Sequence, residues 1–312
     1  MPITLTAHRD VLAVLADPRF GPPPVPADQP PGTIGWLRAT VARFSTREDH
    51  RRRRALATGQ LAAVDPATLR ALALARTRAA LDEGPIDLMA RVARVLPVEL
   101  LAAELAPAAE PGPPIAELIA PVARAYQPDT GDSVEADVAL VQLVKAFGGA
   151  ADEATAARIG LLVQAYDATA GLVGNAALAL LRLRLAGPVE GILLETLRHD
   201  PPVRATVRMA STSARVGAKE VPAGGVVRLD FAAANRDPAV FADPDRFDPE
   251  RRADRSLALG AEPRPCPGRD HALAIAAGVL DAVRGCRLAE TELDYLPSAT
   301  LRVPARMLVR KP

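Results

Sequence analysis

The feature that most constrains the fold is a helical pattern that continues without a break from residue 152 to about residue 185. A helix of this length crosses a whole domain, so other elements must pack around it. Further helical patterns lie at residues 10–17, 47–56, 66–81, 86–105, 115–125 and 134–147, and a shorter one ends at residue 199. These spacings predict a predominantly helical body.

The character of the sequence changes after Asp200-Pro201-Pro202. Short β-branched segments separated by glycine and proline turns predict strands at residues 204–208, 214–216 and 226–231. An irregular stretch, another helix and short C-terminal strands are predicted at residues 238–255, 268–283 and 286–312. Because no linker interrupts the sequence, we predict one domain over residues 1–312, mainly α with small β-sheets.

The composition argues against several classes of protein. Hydrophobic residues form 49% of the chain and charged residues 24%, which supports a large core. A net charge of +1 is too small for a general nucleic-acid binder. No uninterrupted apolar run reaches about 18 residues, and the first residues lack a signal pattern. We therefore predict no nucleic-acid partner, no membrane span and a cytoplasmic location.

Two cysteines are present, Cys266 and Cys286, which is too few for a disulfide framework. We interpret Cys286 as a small buried hydrophobic residue. Cys266 lies in a proline-rich loop just before a helix predicted to begin near Gly268. Backbone N–H groups at a helix N-terminus lower the pKa of a thiol and hydrogen-bond its sulfur, and Gly268 allows the backbone to approach a flat cofactor. The loop alone predicts a reactive or metal-bound thiol.

The residues around Cys266 resemble the ligand loop of the cytochrome P450 family of the soluble bacterial type, Phe-Gly-x-Gly-x-His/Arg-x-Cys-x-Gly. The positions of this pattern are matched by Leu259, Gly260, Arg264, Cys266 and Gly268. Leu259 replaces the usual phenylalanine, and Glu262 replaces the second glycine. The resemblance implies a cytochrome P450-like fold and a haem b whose iron is bound by the Cys266 thiolate.

A helix further upstream carries Glu195-Thr196-Leu197-Arg198, similar to the Glu-x-x-Arg helix of the same family. Glu195 and Arg198 share one helix face and can form an ion pair, which taken singly would be interpreted as a surface salt bridge. The strings AANRDP at 233–238 and FADPDRFDPER at 241–251 are more specific matches to the family. The resemblance implies a structural brace of Glu195, Arg198 and Arg251 on the thiolate side of the haem.

Candidate cofactor-binding cations come from separate segments. DHRRRR at 49–54 resembles the family's His-x-x-x-Arg helix, in which His50 and Arg54 lie on one face. The resemblance implies that these two bind the haem propionates together with Arg208 and Arg264, since half-buried anions need several charge-assisted donors. The arginines at 51–53 are typical of a solvated or nucleic-acid-binding face, and by resemblance a basic patch there could dock an acidic ferredoxin.

The long helix resembles the family's Ala-Gly-x-Asp/Glu-Thr segment, whose acid and alcohol relay protons in oxygen activation. Asp167 falls on the acid and Ala165 on the small residue, whereas Ala168 stands where the threonine belongs. Thr169 follows, but one residue turns a helix by about 100°, so its side chain is expected to face elsewhere. Asp167 and Thr169 are the candidate catalytic residues. Asp167 has the alternative interpretation of an interhelical ion-pair partner.

The chain is shorter than this family usually runs. Relative to the family, it lacks the usual opening helix and first strand and has few residues in the regions that cover the substrate pocket. The resemblance therefore implies a P450-like fold that is N-terminally trimmed, with a shortened substrate lid. This shortening predicts an open pocket for a bulky or carrier-held substrate, or equally a degenerate pocket.

Together these features predict an oxidoreductase, a haem-thiolate monooxygenase acting on a small or carrier-held organic molecule. Electrons are expected from a ferredoxin and ferredoxin reductase, because no glycine-rich dinucleotide fingerprint follows a strand. Without the alcohol at Ala168, water or a substrate hydroxyl could complete the proton relay. Peroxide-driven turnover, radical coupling or desaturation are alternatives within the same chemistry. A non-catalytic haem-binding partner protein, and a helical domain without haem, are alternatives from other classes.

Overall fold

The computed structural model describes residues 3–105, 112–127, 130–252, 255–289 and 292–312. The helices are α1 (His8–Ala16), α2 (Ile34–Thr40), α3 (Arg47–Ala62), α4 (Pro66–Asp82), α5 (Leu96–Leu105), α6 (Ile115–Arg124), α7 (Val134–Ala146), α8 (Glu153–Arg182), α9 (Val189–His199), α10 (Phe231–Ala234) and α11 (Arg269–Val283). A 3-10 helix (Ala42–Phe44) precedes α3, and a π-helical turn (Met89–Ala93) precedes α5.

The strands are β1 (Ile3–Leu5), β2 (Phe20–Gly21), β3 (Ile86–Asp87), β4 (Ala205–Ala210), β5 (Ala214–Val216), β6 (Lys219–Val221), β7 (Val226–Asp230), β8 (Arg287–Leu288) and β9 (Leu308–Arg310). They form a four-stranded sheet in the order β1-β7-β4-β2, a three-stranded sheet in the order β3-β9-β8, and the hairpin β5-β6. The predicted fold class, mainly α with small β-sheets, is confirmed. None of the helices in the described ranges is long and apolar enough to cross a lipid bilayer.

Helix α8 is the central element of the helical body. Its 30 residues begin after Asp152, whose carboxylate accepts a hydrogen bond from the Thr155 N–H at 2.8 Å. It packs against α3, α5, α6, α9 and α11. Its side chains are buried at 159–163 and 169–177, but those of residues 164–168 are partly accessible. We call residues 164–168 the open turn, because accessible space borders α8 only there within its buried middle section.

Two glycines let α8 approach the C-terminal part of the chain closely. A Cβ atom at Gly171 would lie 2.7 Å from Pro202 Cβ and 2.9 Å from the Arg302 carbonyl oxygen. A Cβ at Gly174 would lie 2.9 Å from Pro304 Cγ and 2.8 Å from Met89 Sδ. A larger residue at either position would push these segments apart, so the glycines set the distance between α8 and its neighbours.

Helix α11 anchors the loop that carries Cys266. It packs closely along α4, since a Cβ at Gly278 would lie 2.3 Å from the Arg70 carbonyl oxygen. Near its start, His271 Nε2 lies 3.1 Å from the carbonyl oxygens of both Leu61 and Val64. These contacts tie α11 to the C-terminal end of α3, and so link the cysteine loop to the helix of His50 and Arg54.

The four-stranded sheet positions Arg208. It lies on β4, where it pairs with Val227 of β7, and β7 pairs in parallel with β1. Helix α1 covers this sheet through Val11 and Val14, which are fully buried with Leu5 and Leu229. The strand that carries Arg208 is therefore held by its pairing with β7 and by the packing of α1 on the sheet.

The continuous helix predicted for 86–105 is wrong. Ile86–Asp87 instead forms strand β3 with β9, and helix α5 begins only at Leu96. The Asp87 carboxylate accepts hydrogen bonds from the N–H groups of Met89, at 3.0 Å, and Met307, at 3.1 Å. This aspartate competes with helical hydrogen bonding and fastens the segment to the C-terminal strand, a long-range contact that local periodicity does not report.

Candidate active site

Cys266 lies at the end of a tightly folded loop between Leu257 and α11. The Gly260 N–H donates to the Leu257 carbonyl at 2.9 Å, and the Cys266 N–H donates to the Leu259 carbonyl at 2.8 Å. Gly260 has a positive φ of 72°, and a Cβ there would lie 3.0 Å from the Arg264 carbonyl oxygen, so glycine suits this turn best. The loop leaves the Cys266 side chain partly accessible.

The environment of the Cys266 thiol differs from the sequence expectation in one respect. Burial raises the pKa of the thiol, although the Gly268 N–H and the Arg54 cation act to lower it. The expected helix N-terminal effect is therefore present but is outweighed by burial. A thiol of this kind is deprotonated when a metal cation takes the place of the proton.

The structure brings the four predicted cofactor-binding residues, three of them arginine cations, together beside Cys266. Burial and the cations of Arg264 and Arg54 lower the pKa of His50 to about 4. Burial, with Arg43 and Arg264 nearby, lowers the pKa of Arg208 to about 10. The pKa values of Arg54 and Arg264 are likewise lowered by burial, and Arg54 adds to the effect on Arg264.

The three arginine cations repel one another, so their arrangement is suited to an anion. Among the described residues, Arg54, Arg208 and Arg264 form no carboxylate ion pair within 4 Å, although Glu262 acts on Arg54 at longer range. Arg264 instead donates to the Ser45 carbonyl at 3.0 Å, and Arg208 donates to the Val207 carbonyl at 2.8 Å. Half-buried cations around a single accessible thiol are the donor set that a haem with two propionates requires.

Arg43 belongs to this cluster and was missed by the sequence analysis. It lies in the 3-10 helix before α3, acts electrostatically on Arg208 and Cys266, and also acts on Tyr126 at the end of α6. Its guanidinium lies 5.6 Å from the centre of the Phe44 ring. No motif marks Arg43, because the chain turn before α3 is what brings it to the site.

The three residues of the predicted brace meet in the structure. Glu195 and Arg198 are both fully buried, and the carboxylate accepts Arg198 Nη2 at 2.6 Å and Nε at 2.8 Å. Arg251 Nε lies 3.4 Å from the same carboxylate, which also accepts the Asp248 N–H at 2.9 Å. Every buried charge in this cluster is thus met by an opposite charge or a hydrogen bond, as a buried ion pair requires.

Asn235 connects the brace to the cysteine loop and was also missed as a site residue. Its carbonyl oxygen accepts from Arg198 Nη1 at 3.1 Å, while its side-chain oxygen accepts from the Leu257 N–H at 2.8 Å. The residue is fully buried. Asn235 lies in the AANRDP string, so the sequence contained a signal for it. Only the structure shows that Asn235 holds Leu257, the first residue of the loop.

The open turn of α8 carries Asp167 and Ala168. Burial raises the pKa of Asp167, while the cations of Arg94 and Arg124 oppose the shift. Thr169 is 3% exposed and lies outside the open turn, in the direction that the helix geometry predicted. The structure therefore places Asp167 in accessible space and the Thr169 hydroxyl in the packed interior.

Helices α2 and α6 pack against α8, and α7 packs against α2 and α6; we call these three helices the cover. Buried Arg38 of α2 holds the cover together, because its Nη2 donates hydrogen bonds to the carbonyl oxygens of Ala125, Gln127 and Gly131. The Ile34 N–H at the start of α2 donates to the Asp137 carboxylate of α7 at 2.7 Å. The cover is thus fastened by polar contacts at two points.

The arginine run at residues 51–53 carries less uncompensated positive charge than its sequence suggests. Arg51 pairs with Glu48, while Arg52 and Arg53 both pair with Glu153, at 2.7 and 2.8 Å. Arg53 also donates to the Ser45 hydroxyl. Local acids neutralise most of this run, so it is not an uncompensated basic patch.

The lowered pKa of His50 predicts a pH dependence. Because the unfolded chain takes up this proton near pH 6.5 and the folded cofactor-free chain only near pH 4, acid favours unfolding. We expect the free energy of unfolding to fall as the pH drops from about 6.5 to about 4, and the slope to be smaller in His50→Gln. Urea titrations at a series of pH values measure this. Parallel curves for the two proteins would contradict the assignment.

Comparisons with known proteins agree with this geometry. The sequence model of the family described as Cytochrome P450 matches residues 189–274, which contain the brace and the cysteine loop. Cytochrome P450 133B2 of Xylella fastidiosa is 38% identical over 125 residues, 38% of this chain and 31% of that protein. Cyclomarin C epoxidase CymV of Salinispora arenicola is 39% identical over 82 residues, 26% of this chain and 21% of that protein. The matched part spans a third or less of these curated relatives.

Solved structures extend the likeness over nearly the whole chain. P450BioI in complex with a hexadecenoic acid-ligated acyl carrier protein matches with a TM-score of 0.83, covering 99% of this chain and 92% of that one at 22% identity. CYP154C4 from Streptomyces matches with a TM-score of 0.77, covering 98% and 89% at 25% identity. The first likeness concerns the fold alone. Residues 189–274 thus match the cytochrome P450 family model, and the chain as a whole has the cytochrome P450 fold.

Proposed function

We propose that this protein is a haem-thiolate monooxygenase that binds haem b through the Cys266 thiolate. The observation that carries the proposal is the convergence of His50, Arg54, Arg208 and Arg264 around the one accessible thiol of the loop. The cations supply donors for the propionates, and the Gly268 N–H bonds the sulfur. A purified, haem-loaded protein whose reduced carbon-monoxide complex shows the red-shifted Soret band of thiolate ligation supports the proposal. Failure to retain haem would overturn it.

The brace has a supporting part in this function. Arg198 joins α9 to Asn235, and Asn235 holds Leu257 at the start of the cysteine loop. Residues that do not bind the metal themselves but hold a metal ligand in place orient that ligand and tune its donor strength. We therefore infer that Glu195, Arg198 and Arg251 keep the Cys266 sulfur in position and do not touch the substrate.

Bound haem supplies the activation of dioxygen, and this chain supplies position and protons. Asp167 lies in the open turn and burial raises its pKa, so its carboxyl group holds a proton more readily than that of an exposed aspartate. Arg94 and Arg124 limit that shift and keep the carboxylate form accessible. We propose that Asp167 is the proton-delivering residue.

Ala168 stands where the family pattern has a threonine, so the proposed proton path lacks that hydroxyl group. Restoring the hydroxyl tests its importance. We expect Ala168→Thr to raise the fraction of consumed dioxygen that appears in product several-fold. A positioned proton donor accelerates a step that proton transfer limits by at least about 10²-fold. Product formed per dioxygen consumed is the measurement. Unchanged coupling would show that water or the substrate already completes the path.

Thr169→Val gives the matched comparison, since it removes the hydroxyl of the second candidate and keeps its shape. Because Thr169 is buried outside the open turn, we expect a much smaller change in coupling than at Ala168. A loss of coupling in Thr169→Val as large as the gain in Ala168→Thr would make Thr169 the catalytic alcohol.

The substrate is proposed to be a small organic molecule, free or held on a carrier protein. P450BioI, which shares the fold, was crystallised with a ligated acyl carrier protein. Turnover of matched acids, free and carrier-linked, distinguishes the two forms. Electrons are proposed to come from a ferredoxin and its reductase, and the exposed Arg47 and Arg269 are candidate docking cations. Stronger turnover with peroxide than with any reductase system would favour the peroxide-driven alternative.

A second candidate function rests on Ala168. If its substitution for the alcohol disables oxygen activation, the protein is a haem-binding partner of another enzyme. Dioxygen consumption then stays at background with reductant and candidate substrates, although the thiolate spectrum is present. Consumption above background excludes this candidate.

A further inference from the structure

One arginine of the run at residues 51–53 is turned into the protein. The side chain of Arg53 is 16% exposed, whereas those of Arg51 and Arg52 are 73% and 50% exposed. Arg52 and Arg53 both pair with the carboxylate of Glu153, the first residue of α8. Because the two arginines share this partner, the ion pair does not account for the inward position of Arg53.

The inward guanidinium of Arg53 divides its donors between two parts of the protein. Its Nε donates to Glu153 at 2.8 Å, while its Nη1 donates to the Ser45 hydroxyl at 2.6 Å and to the Ala39 carbonyl in α2. The Ser45 hydroxyl in turn donates to the Val41 carbonyl at 2.7 Å. Since Ser45 is 6% exposed, these bonds are shielded from water and fix the chain turn between α2 and α3.

The backbone of Ser45 contacts the cofactor-binding cluster. Its carbonyl oxygen accepts a hydrogen bond from Arg264 Nη2 at 3.0 Å, and Arg264 lies two residues before Cys266. The same chain turn carries Arg43, which acts electrostatically on the Cys266 thiol. Ser45 therefore connects Arg53 on one side with a proposed propionate donor on the other.

We propose that Arg53 is a positioning residue for haem binding, which acts through Ser45 to hold Arg264 where a propionate is bound. This inference rests on the proposed haem-binding function of the cluster. A long side chain loses rotamer freedom when it binds a ligand, so an arginine that is already held in place binds at a lower entropic cost. The Nε and Nη1 donors of Arg53 are used by protein groups, so its effect on the cofactor is indirect.

The first test is the rate at which the haem-loaded protein loses haem to an excess of a haem-free globin. Arg53→Ala is expected to lose haem about 10- to 100-fold faster than the wild type, the usual effect of removing a partner that orients a group at a metal site. Arg52→Ala is the matched control, because Arg52 donates to the same Glu153 carboxylate and, within the described part of the chain, not to Ser45. It should lose haem at the wild-type rate. An Arg53→Ala rate equal to that of the wild type overturns the proposal.

Two further readouts separate positioning from a general loss of structure. In an Arg264→Gln background, Arg53→Ala should not accelerate haem loss further, because the side chain that it positions is absent. The reduction potential of the haem should become more negative in Arg53→Ala, as in Arg264→Gln, because moving a cation away from the propionates favours the oxidised, more positively charged haem. Equal acceleration in both backgrounds, or an unchanged potential in Arg53→Ala, contradicts the proposed role.

Urea titration of the cofactor-free proteins gives a test that does not need haem. Residues in one hydrogen-bond network have coupled effects, so the changes in the free energy of unfolding of Arg53→Ala and Arg264→Gln should not add, whereas those of Arg52→Ala and Arg264→Gln should. If Arg53→Ala does not fold, Ser45→Ala replaces it, because this change removes only the hydroxyl that Arg53 binds. Additive changes for Arg53 and Arg264 overturn this inference, whereas a wild type that retains no haem overturns the proposed function.

Discussion

The Cys266→Ser variant is expected to lose the thiolate spectrum and oxygenase turnover, by more than about 100-fold, the upper cost of disturbing only the outer partners of a metal ligand. Serine keeps the shape of the loop, whose turns depend on the backbone bonds of Gly260 and Cys266. The change therefore removes the sulfur and little else. Absorption of the reduced carbon-monoxide complex, with product formation, measures the effect.

Cys286→Ser is the matched control for this variant. Cys286 is also partly accessible, and it lies at the end of α11 away from the loop, just before β8. We expect its spectrum and turnover to match those of the wild type. If Cys286→Ser abolished the thiolate spectrum and Cys266→Ser retained it, the ligand assignment would be wrong.

The largest expected effect on stability comes from Arg198→Ala. The substitution leaves the Glu195 carboxylate fully buried, with only Arg251 at 3.4 Å as a cation, and frees three backbone carbonyls that Arg198 now satisfies. Breaking a buried pair by removing one partner costs about 3–5 kcal/mol. We expect a loss of this size in the free energy of unfolding, measured by urea titration of the cofactor-free protein.

Arg215→Ala provides the comparison, because Arg215 pairs with Glu220 on the exposed hairpin β5-β6. Surface pairs contribute about 0–1 kcal/mol, so this variant should unfold close to the wild-type midpoint. If both variants lost the same free energy of unfolding, the buried ion pair would contribute no more to stability than a surface pair.

The sequence predicted those parts of the site that lie in short motifs. Cys266, the Glu195–Arg198 pair and the His50–Arg54 pair each fall within a fixed local spacing, and helix geometry then sets which side chains share a face. The burial of Thr169, one position from the open turn, follows from the same geometry. Most helix boundaries were also predictable, since they depend on periodicity and caps.

The remaining features depend on contacts between distant parts of the chain. Arg43 acts on Arg208, which lies far away in the sequence, and Arg38 bonds to carbonyl groups 87 to 93 residues away. Asp87 interrupts a helical pattern because its carboxylate binds Met307, 220 residues downstream. Local periodicity contains no information on such pairings, which explains why these features were missed.

The crowded cations beside Cys266 impose a trade-off on the evolution of this chain. Removing one of them, as in Arg208→Gln, relieves its repulsion with Arg43 and Arg264 in the cofactor-free protein but also takes away a donor for the propionates. Stability without cofactor and affinity for it therefore change in opposite directions at these positions. A selection for thermal resistance of the cofactor-free protein would accumulate substitutions at this cluster, and the surviving variants would be the ones that bind haem least well.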